Sequence, residues 1–102
     1  MSDTELTLLS LVVSPMIEDS LVDWLLARDE VPGFTSAAVN GHGSSAHSMS
    51  LAEQVSGRRR QVLFQLHLPA LQAQSLVTAL KRDFGDSGIH YWLVPLLACG
   101  HL

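Results

Sequence analysis

Apolar residues recur along this chain with two different periods, and the changes from one period to the other mark out its elements. From Thr4 to Val13, leucine and valine occupy both alternating faces after Glu5, as in a central strand covered on both sides. Ser14-Pro15 ends this run and opens a helix. Serine is a good N-cap, proline is tolerated at the first helical position, and Glu18 and Asp19 place negative charge near the positive end of the helix dipole. Ile17, Leu21, Trp24 and Leu25 form the apolar stripe of that helix, which closes near Arg28, ahead of Pro32-Gly33. Phe34 to Val39 reads as a second strand with small residues at Ser36, Ala37 and Ala38.

A long polar stretch, Asn40 to Gly57, interrupts the pattern. Connections beyond roughly a dozen residues are uncommon in compact domains and tend to serve binding or regulation. Regular alternation resumes from Arg60 to Leu68, where Val62, Phe64, Leu66 and Leu68 face one way and Gln61, Leu63, Gln65 and His67 the other. Pro69 stops the strand. Ala73, Leu76, Val77, Leu80 and Phe84 then mark a second amphipathic helix, with Lys81 and Arg82 suitably placed in its last turns. The turn Gly85-Asp86-Ser87-Gly88 releases a last strand, Ile89 to Leu97.

The order strand, helix, strand, strand, helix, strand predicts one α+β domain over residues 1–102. It is a ferredoxin-like βαββαβ sandwich, with four antiparallel strands and both helices on one face. The other face then lacks a cover, and the leucine, valine, tyrosine and tryptophan of the outer strands call for association. Composition agrees, since only 16% of the 102 residues are charged and 47% are hydrophobic. A net charge of -4 argues against nucleic acid as a partner. Cys99 is the only cysteine, so no intrachain disulfide exists. With no basic leader and no apolar run of membrane-spanning length, the expected location is the cytoplasm.

Gly33-Phe34-Thr35 followed by Val39-Asn40-Gly41-His42-Gly43 resembles the PII (nitrogen regulatory) signalling family, in which a glycine-hydrophobe-threonine strand leads to the root of a long T-loop. Gly85-Asp86-Ser87-Gly88-Ile89, with Pro95 in the last strand, is similar to that family's Gly-Asp-Gly-Lys-Ile run and the proline after it. Ser50, Glu53, Gln54, Val55 and Gly57, with Trp92, Pro95 and Gly100, look closer still to an uncharacterised bacterial PII-like group whose genes are often found beside heavy-metal efflux pumps. The resemblance covers essentially the whole chain. It implies a PII-like homotrimer with sheets facing inward, a T-loop at about 41–57, effector sites in the clefts between subunits, and a non-enzymatic regulator. The gene association implies a protein partner such as a membrane transporter. Three positions depart from the family's nucleotide-binding pattern: His42 replaces a phenylalanine, the loop has no tyrosine for uridylylation, and the Gly-Asp-Gly-Lys lysine is missing, with His90 nearest to it. The cofactor is left unassigned, and a nucleotide is one candidate effector.

On these grounds the candidate effector residues are Gly41, His42, Gly43, Arg58, Arg60, Asp86, Gly88 and His90. Glycine lets backbone N-H groups approach an anion, and arginine offers a fork matched to phosphate or carboxylate. Alternation puts Arg58 and Arg60 on one face and Arg59 on the other. His47, Met49, Leu51 and Glu53 are the candidate partner-binding residues of the loop. The alternative is a metal-binding accessory protein using His42, His47, Cys99 and His101, because imidazole and thiolate are the usual ligands of zinc and copper. On a strand, residues 99 and 101 would share a face. Serines near His42 and His47 have no carboxylate to orient a base, so a catalytic triad is not expected.

Overall fold

A computed structural model describes residues 5–42 and 59–102. Strand β1 (Leu6–Val13) is followed by a 3-10 turn (Pro15–Ile17) and helix α1 (Glu18–Leu26). Strands β2 (Thr35–Gly41) and β3 (Arg59–Pro69), helix α2 (Ala70–Phe84) and strand β4 (His90–Pro95) complete the order. The sheet runs β2-β3-β1-β4 with every neighbour antiparallel. Each helix therefore connects two parallel strands separated by a third, which is the split β-α-β arrangement of ferredoxin-like domains.

The alternation in β3 explains where the core lies. Val62, Phe64, Leu66 and Leu68 pair with Val13, Leu11, Leu9 and Thr7 of β1, and all eight are buried. Leu21 and Leu25 of α1 and Ala73, Leu76, Val77 and Leu80 of α2 join the same cluster, so both helices cover this face. Full burial of one such leucine is worth about 1.5–3 kcal/mol. Thr7 is the polar exception, and its Oγ1 donates to the carbonyl of Leu68 at 2.8 Å.

The helices are tied together at their surface. Trp24 Nε1 donates to Asp83 Oδ2 at 2.8 Å, the Trp24 ring meets Phe84 edge to face at 5.8 Å, and the Arg28 guanidinium sits 4.3 Å above the indole. Arg82 holds Asp83 from the other side at 2.9 Å. These contacts, led by the Arg82 hydrogen bond and then that of Trp24, lower the Asp83 carboxyl from its ordinary 3.8 to about 2.

Several boundaries move from those expected. The first helix does not start at Ser14-Pro15: Ser14 Oγ accepts from Met16 N at 3.2 Å and caps a 3-10 turn instead, and Ile17, at φ -107° and ψ 6°, breaks the path before α1 begins. β4 stops at Pro95, which brings no N-H to a ladder, although Leu96 N still reaches Leu6 O at 3.0 Å. β2 extends to Gly41, so Asn40 and Gly41 are sheet residues paired with Arg60 and Arg59 rather than the start of the loop. No helix among the described residues is long and apolar enough to cross a membrane.

Candidate functional site

The face without helices carries the opposite set of positions. Register places Trp92, Ser10, Gln65 and Thr35 in one row across it, and His90, Val12, Leu63 and Ala37 in the next. Gln65 Nε2 donates to Ser10 Oγ at 3.3 Å, and Ser10 is fully buried although no helix lies over it. The face is therefore mixed, with an amide and hydroxyl centre flanked by Trp92, Val94, Leu8 and Leu63.

At one end of this face β2 and β3 run out towards residues 43–58 and β4 begins. A cavity of about 430 Å³ opens there, lined by Val12, Gly41, His42, Arg59, Gln61, Gly88 and His90. Local geometry explains each wall. Gly41 lies opposite Arg59 in the ladder, and a Cβ added at Gly41 would run into the Gln61 side-chain amide, so glycine is what lets that amide lie across the strand. Gly88, at φ +79°, turns the chain into β4 in a conformation that favours glycine. His90 lies opposite Val12, and its ring is held 5.5 Å from the Trp92 ring at 61°. The Nε of Arg59 is withdrawn from solvent. Among the described residues the lining thus supplies one guanidinium, two imidazoles, one amide and two glycines, and no carboxylate. A set of donors without an acid suits an anion.

A second cavity, about 340 Å³, lies on the helix side of the same turn, between the end of α2 and β4. Leu11, Val77, Leu80, Phe84, Ile89 and Tyr91 make most of its wall. Asp86 belongs to this cavity, carried there by a left-handed backbone at φ +65°. A Cβ at Gly85 would stand 2.7 Å from the Lys81 carbonyl oxygen, so the end of α2 has room only for glycine at that point.

The structure brings Gly41, His42, Gly88 and His90 together in the first cavity. Arg60, paired with Asn40, falls on the helix side of β3 by alternation, and Arg59 takes the place in the cavity. Gly43, Arg58, His47, Met49, Leu51 and Glu53 lie outside the described residues. Cys99 and His101 are exposed in the segment after β4 and do not lie on a strand, so the shared face expected for them does not form. No group of three or more His, Cys, Asp or Glu residues placed to hold a metal ion occurs among the described residues. Val12, Arg59 and Gln61 were not among the sequence candidates. Their signal was available: carrying the alternation of Val62 and Phe64 back along β3 sets Arg60 on the core side and puts Gln61 and Arg59 together on the other.

The family described as "Protein of unknown function (DUF3240)" matches residues 3–102. Among solved structures, the crystal structure of a DUF3240 family protein from Shewanella baltica is similar, with 27% identity and a TM-score of 0.77 over 100% of this chain and 99% of that one. No curated protein matches. The family match spans every residue from which the fold and the cavity are built, and this chain belongs to the DUF3240 family.

Proposed function

We propose that this protein is a non-enzymatic, PII-like regulator that assembles as a homotrimer in the cytoplasm. It takes a small anionic effector in the cavity at the end of the sheet and engages a protein partner through residues 43–58. The supporting observation is that one cavity draws its walls from both sides of that segment, Gly41 and His42 before it and Arg59 and Gln61 after it, and that its described lining holds a guanidinium and two imidazoles with no acid. An anion held there touches both ends of the connection, so its binding free energy can differ between arrangements of the segment. The open sheet face, where Trp92 and Val94 are 41% and 39% exposed, supports association of copies.

Isothermal titration with inorganic phosphate, ATP and a dicarboxylate tests the effector. Binding of at least one, weakened by Arg59→Gln, is expected, and no heat from any of them at millimolar concentration would remove the effector from this reading. A metal-binding accessory role is the second reading, favoured by His42 and His90 sharing the cavity. The Arg59 guanidinium in the same lining opposes a divalent cation and places this reading second. A rise in Tm with zinc, copper, nickel or cobalt, lost in His42→Ala, would reverse that order.

A further inference from the structure

The cavity on the helix side takes no part in the function proposed above, yet it has the make-up of a binding site. Its floor is the surface of the core: Leu11, Val77 and Leu80 are buried, and Phe84 and Ile89, packed on the same cluster, are half-buried. At about 340 Å³ it falls near the lower end of the range for small-molecule sites, which are lined mainly by apolar side chains with a few polar groups that fix orientation. An apolar group laid on that floor is removed from water together with the floor itself.

Two opposite charges flank this floor. Lys81, in the last turn of α2, and Asp86, in the turn between α2 and β4, both line the cavity. Tyr91 lies opposite Leu11 in the ladder and so stands on the helix face of β4, where Lys81 Nζ is 6.0 Å from the centre of its ring. Neither Lys81 nor Asp86 makes an ion pair among the described residues. Gly85 and Gly88 add no side chain to the lining. The charges decide what kind of molecule fits. A simple carboxylate would satisfy Lys81 and set its own charge against Asp86, and an apolar amine would do the reverse. The phosphates of a nucleotide would bring several negative charges to one cation and one acid. A zwitterion with an apolar body satisfies both groups and covers the floor.

We propose that this cavity binds an apolar α-amino acid of the leucine or phenylalanine type, with its side chain on Leu80 and Phe84, its carboxylate at Lys81 and its ammonium at Asp86. Glycine and polar amino acids carry the same head groups but leave the floor uncovered, so the apolar side chain sets which amino acids are taken. The site is separate from the anion cavity on the helix-free face, and Gly88 is the residue that lines both. It goes beyond the effector reading and does not depend on it.

Isothermal titration of the whole protein with L-leucine, L-phenylalanine, glycine, isocaproate and isoamylamine tests this, the last two being leucine without its ammonium and leucine without its carboxylate. Leucine and phenylalanine are expected to bind at millimolar concentration or below. Isocaproate and isoamylamine should each be about tenfold weaker or more, the effect of losing one charged hydrogen bond, and glycine should give no heat. Lys81→Gln should weaken leucine and isocaproate and spare isoamylamine, and Asp86→Asn should weaken leucine and isoamylamine and spare isocaproate. Lys81 is exposed, and asparagine tolerates the left-handed backbone at position 86, so both variants should keep the fold, which thermal melts check. No heat from either apolar amino acid, isocaproate or isoamylamine binding as tightly as leucine, or leucine affinity unchanged in either variant overturns the site. Phosphate titrated in parallel reads the other cavity, so either reading can fail without the other.

Discussion

The assignment of the cavity to Arg59 rather than Arg60 gives a prediction that a pair of single substitutions can decide. Arg59 stands in the ladder opposite Gly41 and lines the cavity, whereas Arg60, opposite Asn40, projects to the other side of β3. A hydrogen bond to a charged group contributes about 1.5–3 kcal/mol. At about 1.4 kcal/mol per factor of ten, Arg59→Gln is expected to weaken binding of phosphate or ATP by roughly 10- to 150-fold. Arg60→Gln removes the same formal charge one residue away. Its exposed position leaves a screened interaction, worth about fivefold or less at 0.15 M salt. Both variants are titrated by calorimetry in the same buffer, and their melting temperatures without ligand are compared, so that a loss of folding is not read as a loss of binding. Equal losses in the two, or the larger loss in Arg60→Gln, refute the placement of the anion on the helix-free face.

Other expectations concern the frame that holds this cavity. Phe64, fully buried and tilted 42° against Phe34, should cost about 3–5 kcal/mol as Phe64→Ala, measured by urea unfolding. Gly88→Ala, forced to φ +79°, should cost about 1–2 kcal/mol and weaken effector binding, while Ala98→Gly in the exposed tail should do neither. Trp24→Phe and Asp83→Asn should be non-additive in a double-mutant cycle because they break one hydrogen bond between them. The pH dependence follows from the lowered carboxyl: the contribution of Asp83 is present in full above its unfolded value of 3.8 and is lost as pH falls towards about 2. Asp83→Asn should flatten that part of the acid unfolding curve.

Pattern alone located β3, α2 and the core because period-two and period-3.6 runs leave a definite buried side, and Val62, Phe64, Leu66 and Leu68 are all buried as their spacing requires. The junctions were less legible. Whether Ser14-Pro15 starts an α-helix or a 3-10 turn depends on ψ at Ile17, which tertiary contact sets and propensity does not. At the cavity, Gly41, His42, Gly88 and His90 could be named from their turn chemistry and resemblance to a loop root. Arg59 and Gln61 needed strand register, since one step along a strand exchanges faces. Gly88 lines both cavities, whereas Asp86, two residues earlier in the same turn, lines only the one on the helix side. Composition cannot express that choice.

Size and position together limit what the cavity can do. Its donors come from three places distant in sequence: the end of β2, the start of β3 and the entry to β4. Only the first two flank residues 43–58, so an anion gripped mainly by His90 and the Gly88 backbone would bind without influence on that segment. Influence requires Arg59 and His42. Two such contacts, at about 1.5–3 kcal/mol each, amount to about 3–6 kcal/mol if both form in one arrangement and neither in the other. Moving a two-state equilibrium from 1:99 to 99:1 takes about 5.5 kcal/mol. A single cavity can therefore drive such a change only near the upper end of its range, and falls short if either contact persists in both arrangements.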